Sequence, residues 1–263
     1  MRSQIFTISF ALAMNLCYSS KHASNELLSS KMNKISPPQF LRGVLFDMDG
    51  TMVDGDEYHF QAFRETILRN SSTYNGGKPI TIDYYRSWMS GNSNEEIIQK
   101  IFPECSPQKW AEIALQKESL YRELSTGMKP LPGLQDFISW CDENSIPTIV
   151  VTNAPRTDAE YTLRTIGQFE RYGANMVIGQ ECSNPKPHPA PYLEGLLRIG
   201  AERRHCVAFE DSINGCKSSV GAGLFTIGIE TGLNENELIQ AGANLSIRNY
   251  KDPKLWKMIK NLN

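Results

Sequence analysis

The stretch Leu41-Arg-Gly-Val-Leu-Phe46, followed at once by Asp47-Met-Asp-Gly-Thr51, decides how this chain is read. A short apolar run without polar alternation indicates a strand buried on both faces, as in a parallel sheet. The run ends in two carboxylates, a glycine and a hydroxyl, so acidic groups crowd the carboxyl end of the strand beside a residue that lets the backbone turn sharply. Asp47 and Asp49 can face one space with different tasks, one attacking and one carrying protons. A bare Asp-x-Asp is more often an acidic turn that caps a helix. The strand before this pair and Gly50-Thr51 after it set it apart.

Downstream of the pair the texture changes twice. Residues 55–127 hold no convincing strand but four helical patterns, Tyr58 to Asn70, Ile82 to Trp88, Asn94 to Ile101 and Pro107 to Leu124, with glycine at the edges (Gly55, Gly127). From Leu134 helices alternate with short apolar runs: Thr148 to Val151, Met176 to Ile178, His205 to Phe209, Leu224 to Ile229 and one more strand before the last helix. That rhythm predicts an α/β fold, a doubly wound, Rossmann-like and mostly parallel sheet covered by helices on both faces. Residues 37–54 and 128–263 then form the core, 55–127 an inserted all-helical domain, and 1–36 a leader or disordered extension. Ligands of such sheets sit at the carboxyl ends of the strands.

Three further groups fall at predicted strand ends. Thr152, beside Asn153, ends one buried run, where a hydroxyl and backbone N–H groups suit a phosphoryl oxygen, although a lone threonine there is commonly a cap or turn residue. Lys186 lies in Asn184-Pro-Lys-Pro-His-Pro189, whose prolines stiffen its backbone; its alternative is a solvated surface lysine. Glu210 and Asp211, with Ser212, end another run, and oxygen ligands beside a phosphate suit magnesium, while Asp211 or Ser212 could equally cap the helix that follows. Each group alone is ordinary; all four at strand ends, in chain order and with complementary chemistry, are not.

The composition of the 263 residues, 40% hydrophobic and 21% charged with 14 prolines and 19 glycines, is that of a globular protein and excludes collagen-like, disordered and disulfide-scaffold classes. A net charge of -2 gives no basic field for nucleic acid. The apolar stretch Ile5 to Leu16 is about half of what a spanning helix needs, so no stable membrane insertion is expected. Residues 1–42 carry Arg2, Lys21, Lys31, Lys34 and Arg42 against Glu26 and are rich in serine. Plastid or secretory targeting through residues 1–31 therefore stands beside an unstructured extension or a start at Met32, with a cytoplasmic protein as the main reading. Six cysteines without a Cys-x-x-Cys pair fit a reducing compartment.

Asp47-Met-Asp-Gly-Thr51, Thr152, Lys186 and Glu210-Asp211 resemble the four motifs of the haloacid dehalogenase superfamily, and the insert resembles its helical cap. More narrowly, Ser183-Asn-Pro-Lys-Pro-His-Pro-Ala-Pro-Tyr192, Val151-Thr-Asn-Ala-Pro155, Lys117-Glu-Ser-Leu-Tyr-Arg122 and Asn249-Tyr-Lys-Asp-Pro-Lys-Leu-Trp256 look like plant broad-range sugar-phosphate phosphatases. The resemblance runs from about Leu41 to the carboxyl terminus. It implies that Asp47 attacks phosphorus to form an aspartyl phosphate while Asp49 protonates the leaving sugar oxygen and later activates water. It places Mg2+ on Asp47, the Asp49 carbonyl and Asp211, with Glu210 orienting a metal-bound water, and puts Thr152 and Lys186 on the nonreacting phosphoryl oxygens. Asn153, His59, Asn94 and Lys117 are the candidate substrate contacts; the partner is a small sugar phosphate, and a monomer suffices.

Two rivals remain. Asp54-Gly-Asp-Glu-Tyr-His-Phe60 resembles the segment after the first motif in beta-phosphoglucomutases, which puts His59 either at a cap hinge near the site or merely in the packing of the first cap helix. Asn94 stands about where those mutases carry a phosphate-binding arginine, which favours hydrolysis. Lys117 is a candidate sugar contact or a solvated helix residue. The other rival is a noncatalytic phospho-receiver or binding module, which would have no inserted cap.

Overall fold

A computed structural model describes residues 35–262. The targeting reading of residues 1–31 lies outside them. No helix among the described residues is long and apolar enough to cross a membrane.

Six strands, β1 (Gly43–Phe46), β2 (Thr148–Thr152), β3 (Val177–Ile178), β4 (Cys206–Glu210), β5 (Phe225–Ile229) and β6 (Leu245–Ile247), form one sheet in the order β3-β2-β1-β4-β5-β6. Every pairing is parallel; Val44 faces Thr148 on one side and Val207 on the other. Eleven α-helices are seen among the described residues. Four lie between β1 and β2: α1 (Asp56–Asn70), α2 (Ile82–Trp88), α3 (Asn94–Ile101) and α4 (Pro107–Leu124). The others are α5 (Leu134–Glu143), α6 (Arg156–Thr165), α7 (Phe169–Tyr172), α8 (Ala190–Ile199), α9 (Ile213–Gly221), α10 (Glu235–Ala241) and α11 (Pro253–Lys260).

Local chemistry sets the helix ends. Ser93 and Glu96 form a reciprocal capping box at the start of α3, and Ser106 caps α4 ahead of Pro107. Helix α1 begins at Asp56, two residues ahead of the apolar pattern, because Asp56 and Glu57 suit the positive end of the helix dipole. Pro189 is the N-cap of α8, and Pro191 takes a place in its first turn.

The sheet is buried on both faces. On one, Leu45, Ile149, Val151 and Ala208 pack with Tyr192 and Leu196 of α8. On the other, Phe46 stacks on Phe209 (5.4 Å between centroids), and Phe137 of α5 stacks on Tyr250. Helices α1 to α4 gather round a separate cluster that includes Phe60, Phe63, Ile67, Tyr85, Met89, Ile97, Ile98 and Ile113. Helix α8 reaches the sheet through Gly195, where a Cβ would stand 2.8 Å from Leu45 Cδ2 and 3.1 Å from Val151 Cγ2. Gly195→Ala is therefore expected to lose about 1–3 kcal/mol by overpacking, read from the denaturant midpoint.

Candidate active site

The carboxyl ends of β1, β2 and β4 are adjacent, and the loop after β3 folds over them. Asp47 follows β1 directly, its N–H donating to Phe209 O (3.0 Å). The next turn is tight: Gly50 has φ +79°, its N–H donates to Val53 O (2.7 Å), and its carbonyl accepts from Thr231 Oγ1 (2.7 Å). Any Cβ at Gly50 would also collide with the Asp211 carboxylate, so glycine is required twice over.

Lys186 Nζ lies 2.6 Å from Asp47 Oδ1 and 2.6 Å from Glu210 Oε1, to which Tyr192 Oη also donates (2.6 Å). Burial pushes Asp47 up to about 7 despite Lys186, with Glu210 and Asp49 adding to the rise. Asp211 is raised well above the usual carboxylate range by burial, then by Asp47 and Glu210. Burial opposes the charge of Lys186, yet the two carboxylates carry its ammonium above the ordinary value. The solvated reading of Lys186 is thus corrected: prolines on either side fix its backbone, and it is buried.

One oxygen each of Asp47, Glu210 and Asp211 lies within 4.8 Å of the others. Three buried carboxylates face a single ammonium among the described residues, a surplus of negative charge that an oxygen-seeking divalent cation would neutralise. The donor set therefore fits such an ion. Glu210 is the least available member, since its Oε1 is held by Lys186 and Tyr192.

Thr152 is buried at the end of β2, its Oγ1 accepting from Ala154 N–H (2.9 Å). Asn153 was expected on substrate. Its Oδ1 accepts from Lys186 N–H (3.1 Å) and its Nδ2 donates to Lys186 O (3.1 Å), so the amide clamps the loop that carries the lysine. Sequence periodicity has no access to such a bond across 33 positions.

Helix α1 brings His59 to the cleft, Nε2 at 3.5 Å from Asp49 Oδ1, with the ring stacked on Tyr121 (4.0 Å between centroids). His59 therefore lies at the cleft beside Asp49 and is not confined to the packing of α1. Tyr121 Oη also donates to Asp49 Oδ1 (3.4 Å). Lys117 is only 1% exposed; its Nζ meets His59 Nδ1 (2.8 Å) and Glu118 Oε1 (2.8 Å), which corrects the solvated alternative. Asn94 donates its amide to Glu118 Oε1. All four candidate substrate contacts line the cleft, with about 110 Å³ of free space. Tyr192, Tyr121 and the acidic Asp56, which accepts from Tyr85 Oη and Ser90 Oγ, went unnoticed in the sequence. Of these only Asp56 carried a signal, as an acidic first-turn residue.

Several known proteins are similar to this chain as a whole. A phosphorylated carbohydrates phosphatase of Thermotoga maritima is 30% identical over 209 residues, covering 77% of this chain and 92% of that protein. A family IA, variant 3 hydrolase of the same superfamily from Entamoeba histolytica superposes with a TM-score of 0.74 at 26% identity, covering 84% of this chain and 99% of that one. A beta-phosphoglucomutase from Clostridium difficile has the same fold (TM-score 0.71, 21% identity, 85% and 98% covered). Residues 41–223, which carry all four strand-end groups, match the family described as haloacid dehalogenase-like hydrolase, and the chain belongs to that family.

Proposed function

We propose that this chain is a Mg2+-dependent phosphatase that hydrolyses small phosphate monoesters, sugar phosphates foremost, through an aspartyl phosphate on Asp47. The observation that carries the reading is the buried Asp47 carboxylate, bound at 2.6 Å by Lys186, beside Glu210 and Asp211 and two residues from Asp49. Asp47 attacks phosphorus and the ester oxygen departs with a proton from Asp49. Asp49 then takes a proton from water as water attacks the acyl phosphate, releasing phosphate and restoring Asp47. Thr152 Oγ1 and Lys186 Nζ hold the nonreacting phosphoryl oxygens. Asp47, Asp211 and the Asp49 carbonyl, with Glu210 alongside, would hold Mg2+, which when bound neutralises phosphoryl charge. Because phosphoryl transfer has a loose transition state, positioning and charge neutralisation supply most of the acceleration.

The relative from Thermotoga maritima supports a phosphorylated carbohydrate as substrate. The polar lining on the Asp49 side, His59, Lys117 and Asn94, suits a leaving group rich in hydroxyls. Asn94, tied to Glu118, offers no cation for a second phosphate, which favours hydrolysis over a mutase. Core and insert of one chain build the whole cleft, so we take a monomer as the working unit.

The test is phosphate release from glucose 6-phosphate, 2-deoxyglucose 6-phosphate, ribose 5-phosphate and beta-glucose 1-phosphate. Release from several esters is expected, falling to background with chelator and returning with magnesium. Conversion of beta-glucose 1-phosphate to the 6-phosphate without net release would make the protein a mutase. A lasting acyl phosphate without turnover would make it a receiver.

A further inference from the structure

Where α4 of the insert meets α6 of the core, two buried carboxylates face each other. Glu118 Oε1 accepts from Lys117 and Asn94, and Asp158 Oδ1 accepts from Arg122 Nη1 (2.6 Å). The other oxygen of each, Glu118 Oε2 and Asp158 Oδ2, is shut off from solvent and has no donor. The two side chains are nevertheless within hydrogen-bonding range of one another. Two neighbouring carboxylates, each with a buried oxygen that has no donor, are best satisfied by a proton between them.

We propose that Glu118 and Asp158 share one proton across this seam, and that the resulting hydrogen bond positions the helical insert over Asp47, so that docking weakens as the proton is lost. Burial, with the Glu118 charge next to it, raises Asp158 to about 7. Burial works against the Glu118 charge too, but Lys117 and His59 hold Glu118 at about 2, so the proton belongs to Asp158. The other titratable groups facing the pair are Arg122 and Tyr121 on α4. Helix α3 contributes the neutral Asn94. Two neutral bonds span the same seam, Tyr161 Oη to Arg122 O (2.6 Å) and Tyr121 Oη with Thr162 Oγ1 (3.2 Å). The acid pair is thus the pH-dependent member of a mixed contact.

The sign follows from linkage. Undocking returns Asp158 toward an ordinary value near 4, so the docked state binds the proton more tightly and is favoured at low pH. Between about pH 4 and 7 each unit of pH shifts the equilibrium toward the open state by up to about tenfold; above that range it is level.

Amide hydrogen exchange over residues 116–125 and 156–165, corrected for intrinsic pH dependence, tests this in the full chain. Protection of these amides is expected to fall at least about tenfold from pH 5 to 7.5. In Asp158→Asn, whose amide replaces the shared proton with a fixed donor, protection should be level over that range. Glu118→Gln should be level too. Protection of β5 and β6 amides, unchanged between variant and parent, shows that the fold is intact. Parent protection that ignores pH, or an Asp158→Asn profile that follows the parent, overturns the proposal. The exchange readout needs no substrate, so failure of the phosphatase reading would leave it standing. If that reading holds, the parent's KM for a sugar phosphate should vary more steeply between pH 5 and 7.5 than that of Asp158→Asn, in which the substrate phosphate and Asp47 still titrate but the shared proton does not.

Discussion

Asp47→Asn is expected to remove turnover, a loss of at least about 10^4-fold in phosphate release, while the melting temperature stays within a few degrees of the parent. The two side chains are nearly the same shape. The amide keeps the packing at the end of β1, and Lys186 retains Glu210 as a partner at 2.6 Å. Three carboxylates crowd within 4.8 Å, so neutralising one relieves repulsion and offsets the lost ion pair. Chemistry and stability therefore separate in this variant, which makes it a clean test. Phosphate release above about 1% of the parent rate would remove Asp47 as nucleophile; lost activity together with an unfolded protein would say nothing of chemistry, and the melt tells the two apart.

Asp49→Asn carries the second large effect, and its size should depend on the leaving group. Asp49 is partly open to the cleft, with Tyr121 Oη at 3.4 Å and His59 Nε2 at 3.5 Å from one of its oxygens. The asparagine keeps those neighbours but gives up no proton. A sugar alkoxide leaves poorly unprotonated, so sugar-phosphate turnover should drop by about 10^2–10^4-fold. p-Nitrophenyl phosphate releases a stable phenolate and needs no acid in the first step. With that ester the variant should show a burst of nitrophenolate near one per enzyme, then slow turnover, because hydrolysis of the acyl phosphate still lacks its base. Rapid-mix absorbance reads both phases. Equal losses on both esters with no burst would place Asp49 outside acid–base catalysis.

The parts of this molecule that short-range chemistry controls were legible in the sequence. Strands β1, β2 and β4 are largely apolar runs whose ends are marked by polar groups, and Ser93-x-x-Glu96 or Ser106-Pro107 announce helix starts by capping alone. The same holds for the strand-end groups Asp47, Thr152 and Asp211, since a parallel sheet brings the ends of neighbouring strands together whatever lies between them, whereas Lys186 reaches Asp47 from the loop beyond the edge strand β3. Lys117 shows the limit. In the polar run Gln116-Lys117-Glu118 it has the pattern of a solvated helix face, yet His59, 58 positions earlier, and Phe63, whose ring lies 4.8 Å below the ammonium, enclose it. The bonds of Asn153 and Tyr192 are hidden for the same reason. Their partners, the Lys186 backbone and Glu210, are fixed by how loops cross above the sheet, which no local periodicity encodes.

The strand order has a consequence for how the molecule is made. Strand β1 lies at the centre of the sheet, paired with β2 about 100 residues further along the chain and with β4 about 160 residues along. During synthesis from the amino end, the strand that leads into Asp47 emerges before the other five and waits longest for its neighbours. Loop closure of that length is slow, and unpaired strand edges are the exposed part of such a nascent chain. Helices α1 to α4 close their own apolar cluster from contacts within about 60 residues, so they can gather while β1 is still unpaired. The cleft beside Asp47 is thus among the last features of the chain to exist, and its helical wall can be built before the sheet beneath it.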